Sequence, residues 1–92
     1  MWQVLKYSDD EEVLARANNT PYGLAGAVFC KDFPRAKKLA DGLQAGSVWI
    51  NTYNAFDASL PFGGFKASGQ GRELGSMGLD AYLEYKTIVV GM

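Results

Sequence analysis

Histidine is missing altogether, and cysteine occurs once. The first absence removes Ser-His-Asp and Cys-His catalysis and the commonest metal ligand. The second removes an internal disulfide and any paired-cysteine zinc or redox site, so no metal site is expected. An excess of either charge is also lacking. Nine Lys and Arg stand against ten Asp and Glu, a formal net charge of -1, which gives no positive field to draw nucleic acid or an acidic membrane. No apolar run approaches the roughly 20 residues of a membrane span. Met1-Trp2-Gln3 leads straight into Val4-Leu5-Lys6-Tyr7 without a basic start or a long apolar stretch. The expectation is a chain without a signal peptide, in a reducing, cytoplasmic compartment.

What is present is globular: 48% of the 92 residues are hydrophobic and 21% charged, above the composition of disordered chains. The length allows one domain at most, with a modest core. Trp2 to Tyr7 reads as a first strand, aromatic and alternating. Ser8 and Glu11 have capping-box spacing, and the acids Asp9 to Glu12 suit a helix N-terminus. That helix runs to about Asn18 with Val13, Leu14 and Ala17 as its apolar stripe, and Asn18-Asn19-Thr20-Pro21 stops it through a left-handed asparagine cap. Ala25 to Cys30 is the second strand. Asp32 caps the next helix and Pro34 fits its first turn. Phe33, Ala36, Ala40 and Leu43 recur at helical spacing up to Gly46, and Ser47 to Ile50 is the third strand. The fold class is therefore α/β: a β-α-β-α-β parallel unit with right-handed crossovers, a Gly-rich loop, a helix over about Leu74 to Leu83 and a terminal strand, Thr87 to Val90.

The glycine-rich loop from Gly63 to Gly71 looks like a phosphate cradle, but Gln70-Gly71 stand where a P-loop needs Lys-Ser/Thr. Gly69-x-Gly71-x-x-x-Gly75 approximates a dinucleotide fingerprint, yet it lacks both the strand before it and the ribose-binding acid after it. Glycines that permit tight turns and close backbone approach are the alternative reading. Cys30 has no histidine to activate it and reads as a small buried hydrophobe rather than a nucleophile. Tyr53, Phe56, Phe62 and Phe65 put aromatics into an otherwise flexible stretch, either to pack it down or to line an apolar substrate. The carboxylates Asp57, Glu73, Asp80 and Glu84 show no pairing that points to acid-base work.

Three segments together resemble the C-terminal part of the aldehyde dehydrogenase superfamily. They are Arg16-Ala17-Asn18-Asn19-Thr20-Pro21-Tyr22-Gly23-Leu24-Ala25, Leu43-Gln44-Ala45-Gly46-Ser47-Val48-Trp49-Ile50-Asn51, and the stretch from Pro61 to Gly75. They follow in family order and spacing over essentially the whole chain, and the last, PFGG-x-K-x-SG-x-GRE-x-G, is the most specific. Asn54 to Leu60 looks closest to the tetrameric cytosolic and mitochondrial branch or to the betaine-aldehyde enzymes.

The resemblance implies a parent enzyme that oxidises aldehydes to acids with NAD or NADP, through a cysteine thiolate and a glutamate-activated water. The family's nucleophile, base and Rossmann-type cofactor domain all lie upstream of the region matched here. This chain is accordingly expected to hold no catalytic residue and no cofactor by itself, as the C-terminal portion of the dehydrogenase. Residues 1–84 correspond to the end of the catalytic domain and 85–92 to the last strand of the oligomerisation element. Phe56 and Phe62 match the aldehyde entrance tunnel. Asn51 matches an asparagine at a strand end near the active site, and Gly63, Gly64 and Gly69 match turns in the loop beneath it. Arg72 and Glu84 match charged subunit-interface positions, and Tyr85, Thr87 and Val89 lie in the strand that docks on a neighbouring subunit. The implied partners are an aldehyde and further copies in a dimer or tetramer, with a mitochondrial parent also open. Two rivals remain: a truncated, non-enzymatic protein that associates with full-length subunits, and a small anion-binding α/β module.

Overall fold

The computed structural model describes all 92 residues. Helix α1 spans Asp10–Asn18, strand β1 Tyr22–Gly23, β2 Ala25–Val28, helix α2 Phe33–Gly42, β3 Ser47–Ile50 and β4 Phe65–Lys66; a 3-10 helix follows over Ser76–Tyr82. Strands β2 and β3 pair in parallel, Ala25 opposite Ser47 through Val28 opposite Ile50, with α2 as their crossover. Strands β1 and β4 form a separate two-residue antiparallel ladder. The chain is thus an α/β piece built on one β-α-β unit.

Helix α1 starts where acids meet free N–H groups. Its N-cap is Asp9, whose carboxylate accepts from the Glu12 N–H at 2.8 Å, while Glu12 accepts from the Ser8 N–H at 2.7 Å. The N-cap is Asp9 rather than the expected Ser8, because aspartate competes well with serine there, and Glu12 rather than Glu11 reaches back, past the N-cap to the Ser8 N–H. The helix does not end in a left-handed asparagine: Asn19 has φ -80°. Instead the Asn18 amide reaches α2, donating to the Gly42 carbonyl and accepting from the Gln44 N–H, both at 2.8 Å. At the opposite ends of the two helices Arg35 clasps Asp10, with its Nη2 at 2.6 Å from the carboxylate. Asp32 caps α2 as expected, accepting from the Arg35 N–H, and Pro34 sits in the first turn. Helix α2 stops at Gly42 rather than Gly46, since Leu43 turns extended (ψ 128°).

The Ser8 N–H, and after it Arg16, hold the Glu12 carboxyl below the usual range; the hydrogen bond from Arg35 does the same for Asp10. A depressed folded pKa stabilises above the unfolded value and is lost as pH falls through the folded one. In a peptide spanning residues 6–20, helix content is expected to drop between about pH 6 and about pH 3, and to drop less in Glu12→Gln. Circular dichroism that stays flat over that interval would contradict the capping role.

Two expected strands do not form. Trp2 to Tyr7 and Thr87 to Val90 carry no ladder and are exposed throughout. Their β-branched and aromatic residues suit a half-buried pleated surface, but no segment of this chain lies alongside to supply the second row of hydrogen bonds. Strand β2 likewise ends at Val28, two residues short of Cys30. The stretch from Leu74 to Leu83 is not an α-helix. Leu74 and Gly75 take left-handed φ values of 64° and 59°, and only the tighter 3-10 form follows. Glycines at 75 and 78 weaken an α-helix here, and the exposed Leu74, Met77 and Leu79 have no surface to pack against.

The core is small. Ala36 and Leu39, on the face of α2 toward the sheet, are its buried apolar side chains. No helix is long and apolar enough to cross a membrane.

Candidate functional site

Four aromatic rings run from the end of β3 across the following loop. Trp49 meets Tyr53 edge-on at 5.2 Å and Phe56 at 5.6 Å, and Phe56 meets Phe62 at 5.2 Å, with interplanar angles of 68°, 83° and 78°. Such T-shaped contacts set a positive ring edge against a negative face. The Trp49 indole N–H donates to the Ala55 carbonyl at 2.9 Å. Phe62 is tied at the other end by an antiparallel bridge to Glu73, N···O 2.7 and 2.8 Å. Between them Asp57 braces the loop, accepting from the Ser59 N–H at 2.8 Å and from its hydroxyl. These bonds pull the Asp57 carboxyl below its ordinary range. The result is a continuous apolar wall with Phe56 half open to solvent at 53%.

Asn51 turns the chain out of β3 with φ 55°. Its N–H extends the ladder to the Val28 carbonyl at 2.8 Å. Its side-chain amide then accepts from the Cys30 N–H at 2.8 Å and donates to the Cys30 carbonyl at 2.9 Å. The amide does the work of one more peptide unit in the sheet, in a conformation asparagine tolerates better than most residues. Cys30 is a free thiol of intermediate exposure, held by its backbone, and is not the buried residue expected.

The glycine loop folds back on itself against the opposite end of the strands, where Gly46 faces Gly63 and the Gly23 N–H donates to the Ser68 hydroxyl at 2.9 Å. A Cβ on Gly63 would meet the Gly71 carbonyl oxygen at 2.5 Å, and one on Gly64 would meet the Ser68 Cβ at 2.5 Å. Gly69 adopts φ 131°, which only glycine takes without strain. Arg72 spends its guanidinium inside the chain, Nη1 donating to the carbonyls of Gly64 at 3.1 Å and Gly71 at 2.6 Å, with its Cζ 5.5 Å from the Phe65 ring centre. These residues do not fit a dinucleotide. The loop does not run from a strand into an α-helix N-terminus, its carbonyls point at Arg72, and that cation is already engaged.

The expected site residues fall into two groups. Phe56, Phe62, Gly63, Gly64, Gly69 and Arg72 lie on the aromatic wall and the glycine loop continuous with it, and Asn51 at the strand exit that launches that wall. Glu84, Tyr85, Thr87 and Val89 lie apart on the exposed terminal segment, and no ion pair joins Glu84 to Arg72 within the chain. Two further residues act here. Trp49 lies in the segment from Leu43 to Asn51, where the sequence pattern marks only a strand. Lys66, with φ 53°, reaches the end of α1 and donates to the Asn18 and Thr20 carbonyls at 2.8 and 3.3 Å. A lysine within the glycine loop was the available signal, since helix C-termini attract cations.

The profile of the aldehyde dehydrogenase family matches residues 1–88. The chain belongs to this family. Mitochondrial aldehyde dehydrogenase of Rattus norvegicus is 59% identical over 88 residues, covering 96% of this chain and 17% of the relative. Retinaldehyde dehydrogenase 3 of Rattus norvegicus is 55% identical over 87 residues, again 17% of that protein. Among solved structures, betaine aldehyde dehydrogenase of Staphylococcus aureus in complex with NAD+ superposes with a TM-score of 0.80 at 47% identity, over 83% of this chain and 15% of that one. An aldehyde dehydrogenase of Bacillus cereus in an NAD+ complex gives a TM-score of 0.84 at 51% identity, over 87% and 16%. The chain therefore spans about a sixth of the aldehyde dehydrogenases it matches.

Proposed function

We propose that this chain is the C-terminal portion of an NAD(P)-dependent aldehyde dehydrogenase and supplies the parent with one wall of its aldehyde tunnel and part of its subunit interface. The observation that carries the reading is the aromatic row on a fixed sheet end, within a chain that matches this family from residue 1 to 88. Phe56 and Phe62 present ring surface to an apolar substrate. Asn51 and the Gly63, Gly64 and Gly69 turns hold the backbone behind them. Residues 1–84 complete the catalytic domain and 85–92 form a strand for a neighbouring subunit, with Tyr85, Thr87 and Val89 on one face of it. NAD or NADP, the nucleophile and the base belong to the remainder of the parent, so the 92-residue chain alone is not competent. The parent acts as a dimer or tetramer, in cytoplasm or mitochondrion.

In a full-length enzyme carrying this segment, Phe56→Ala or Phe62→Ala is expected to lower kcat/KM for bulky aromatic aldehydes more than for acetaldehyde. Lost apolar contact of this kind is worth about 1 to 3 kcal/mol. Equal loss for every aldehyde would assign both rings a purely structural role. The isolated chain, given aldehyde and either cofactor, should yield no NAD(P)H above a blank; a turnover abolished by Cys30→Ser would sink the proposal.

A further inference from the structure

We infer that Trp49 is the positioning residue of the aromatic row: it carries the register of the parallel sheet to Phe56, and through Phe56 to Phe62, and so sets the shape of the wall that sorts aldehydes. The inference rests on the tunnel reading above. Of the four rings, Trp49 alone stands on a strand, fixed opposite Ala27 in the β2–β3 ladder. Tyr53 and Phe56 lie in an irregular stretch, residues 51–60, where every residue is exposed, so burial does not hold them. The indole does so twice. Its ring packs edge-to-face with Tyr53 and Phe56, and its N–H fixes the carbonyl of Ala55, one residue before Phe56. Side chain and backbone at Phe56 are thus set from one anchor. Phe62 has its own tether in the bridge to Glu73, so the wall hangs between two fixed points.

Phenylalanine at position 49 keeps a ring edge but has no N–H donor. A benzothienylalanine residue keeps the bicyclic shape and replaces the N–H with sulfur. In the full-length enzyme carrying this segment, both replacements are expected to shift the KM ratio of cinnamaldehyde to acetaldehyde by about fivefold, the equilibrium worth of one ordinary hydrogen bond. The oligomeric state should stay unchanged. If Trp49→Phe fails to assemble, the benzothienyl enzyme decides. An unchanged ratio in that enzyme, or an equal loss for both aldehydes, overturns the inference. Phe56→Ala, measured alongside, separates the two levels. If it leaves the ratio unmoved, the tunnel reading falls and the inference with it. If it shifts the ratio while the Trp49 replacements do not, only the positioning role is lost.

Discussion

Gly46→Ala is expected to detach the glycine loop from the sheet and to unfold this part of the molecule. At the entrance to β3 the Gly46 Cα faces the Gly63 carbonyl so closely that an added methyl would lie inside the oxygen's van der Waals sphere; it would also come within 2.8 Å of the Gly63 carbonyl carbon and 3.2 Å of the Gly64 Cα. None of these is a flexible side-chain end that can swing away. Relief requires moving either the strand or the loop. The strand is fixed by its pairing with β2 and by the bonds from the Gly46 and Ser47 N–H groups to the Gly23 and Leu24 carbonyls, just before β2, at 3.1 and 3.2 Å. The loop is fixed by Arg72 and by the Phe62–Glu73 bridge. A cost of at least about 3 kcal/mol is expected, beyond the usual overpacking range. Gly69→Ala is the control, because its Cβ would meet nothing within 4 Å and only φ 131° opposes it. That strain is worth about 1 to 3 kcal/mol. Thermal midpoints of both variants in a full-length enzyme carrying this segment check the order. A Gly46→Ala enzyme as stable as the parent, with the loop still docked, would refute the contact.

The isolated chain is expected to be a poor monomer. Its accessible surface is 7916 Å², roughly half as much again as a compact protein of this mass exposes. The radius of gyration is 17.9 Å, against about 12 Å for a compact domain of this length. Trp2, Val4, Ile88, Val89 and Val90 are each at least 75% exposed. Two of these segments are extended and unpaired, and such edges recruit other strands. A core of two buried apolar side chains cannot offset the conformational entropy of the ordered chain. Analytical ultracentrifugation with amide exchange should therefore show oligomers, aggregates or a loosely packed state. A sharp monomer boundary with slow amides over Thr87 to Val90 would make the chain a self-sufficient domain.

What could be read from sequence depended on how local each signal was. Helix α2 was legible because its cap, its proline and its apolar period all lie within one short stretch, and β3 followed from four apolar or small residues after a glycine. Trp2–Tyr7 and Thr87–Val90 carry the same local signal as β3 but no partner, and pairing is a property of two segments rather than one. The β1–β4 ladder was illegible for the opposite reason, since two residues a side give no period. The aromatics are visible in the sequence as either packing or substrate lining, and only the resemblance favours the second. Four rings separated by three to six residues have no period in a loop, and the edge-to-face row appears once Trp49 and the Glu73 bridge set its two ends. The tasks of Asn18, Asn51 and Lys66 were hidden because each bonds backbone 21 to 48 residues away.

The side chain of Asn51 carries a liability that a true peptide unit does not have. Hydrolytic deamidation would turn its donor nitrogen into a carboxylate oxygen facing the Cys30 carbonyl, 2.9 Å away in the intact protein. An attractive contact would become a repulsive one between two acceptors, with a negative charge added. The end of the sheet would part there, and the turn that launches the aromatic loop would lose its brace. Loss of this one side-chain amide, a one-atom chemical lesion, would thus weaken a structure that no mutation had touched.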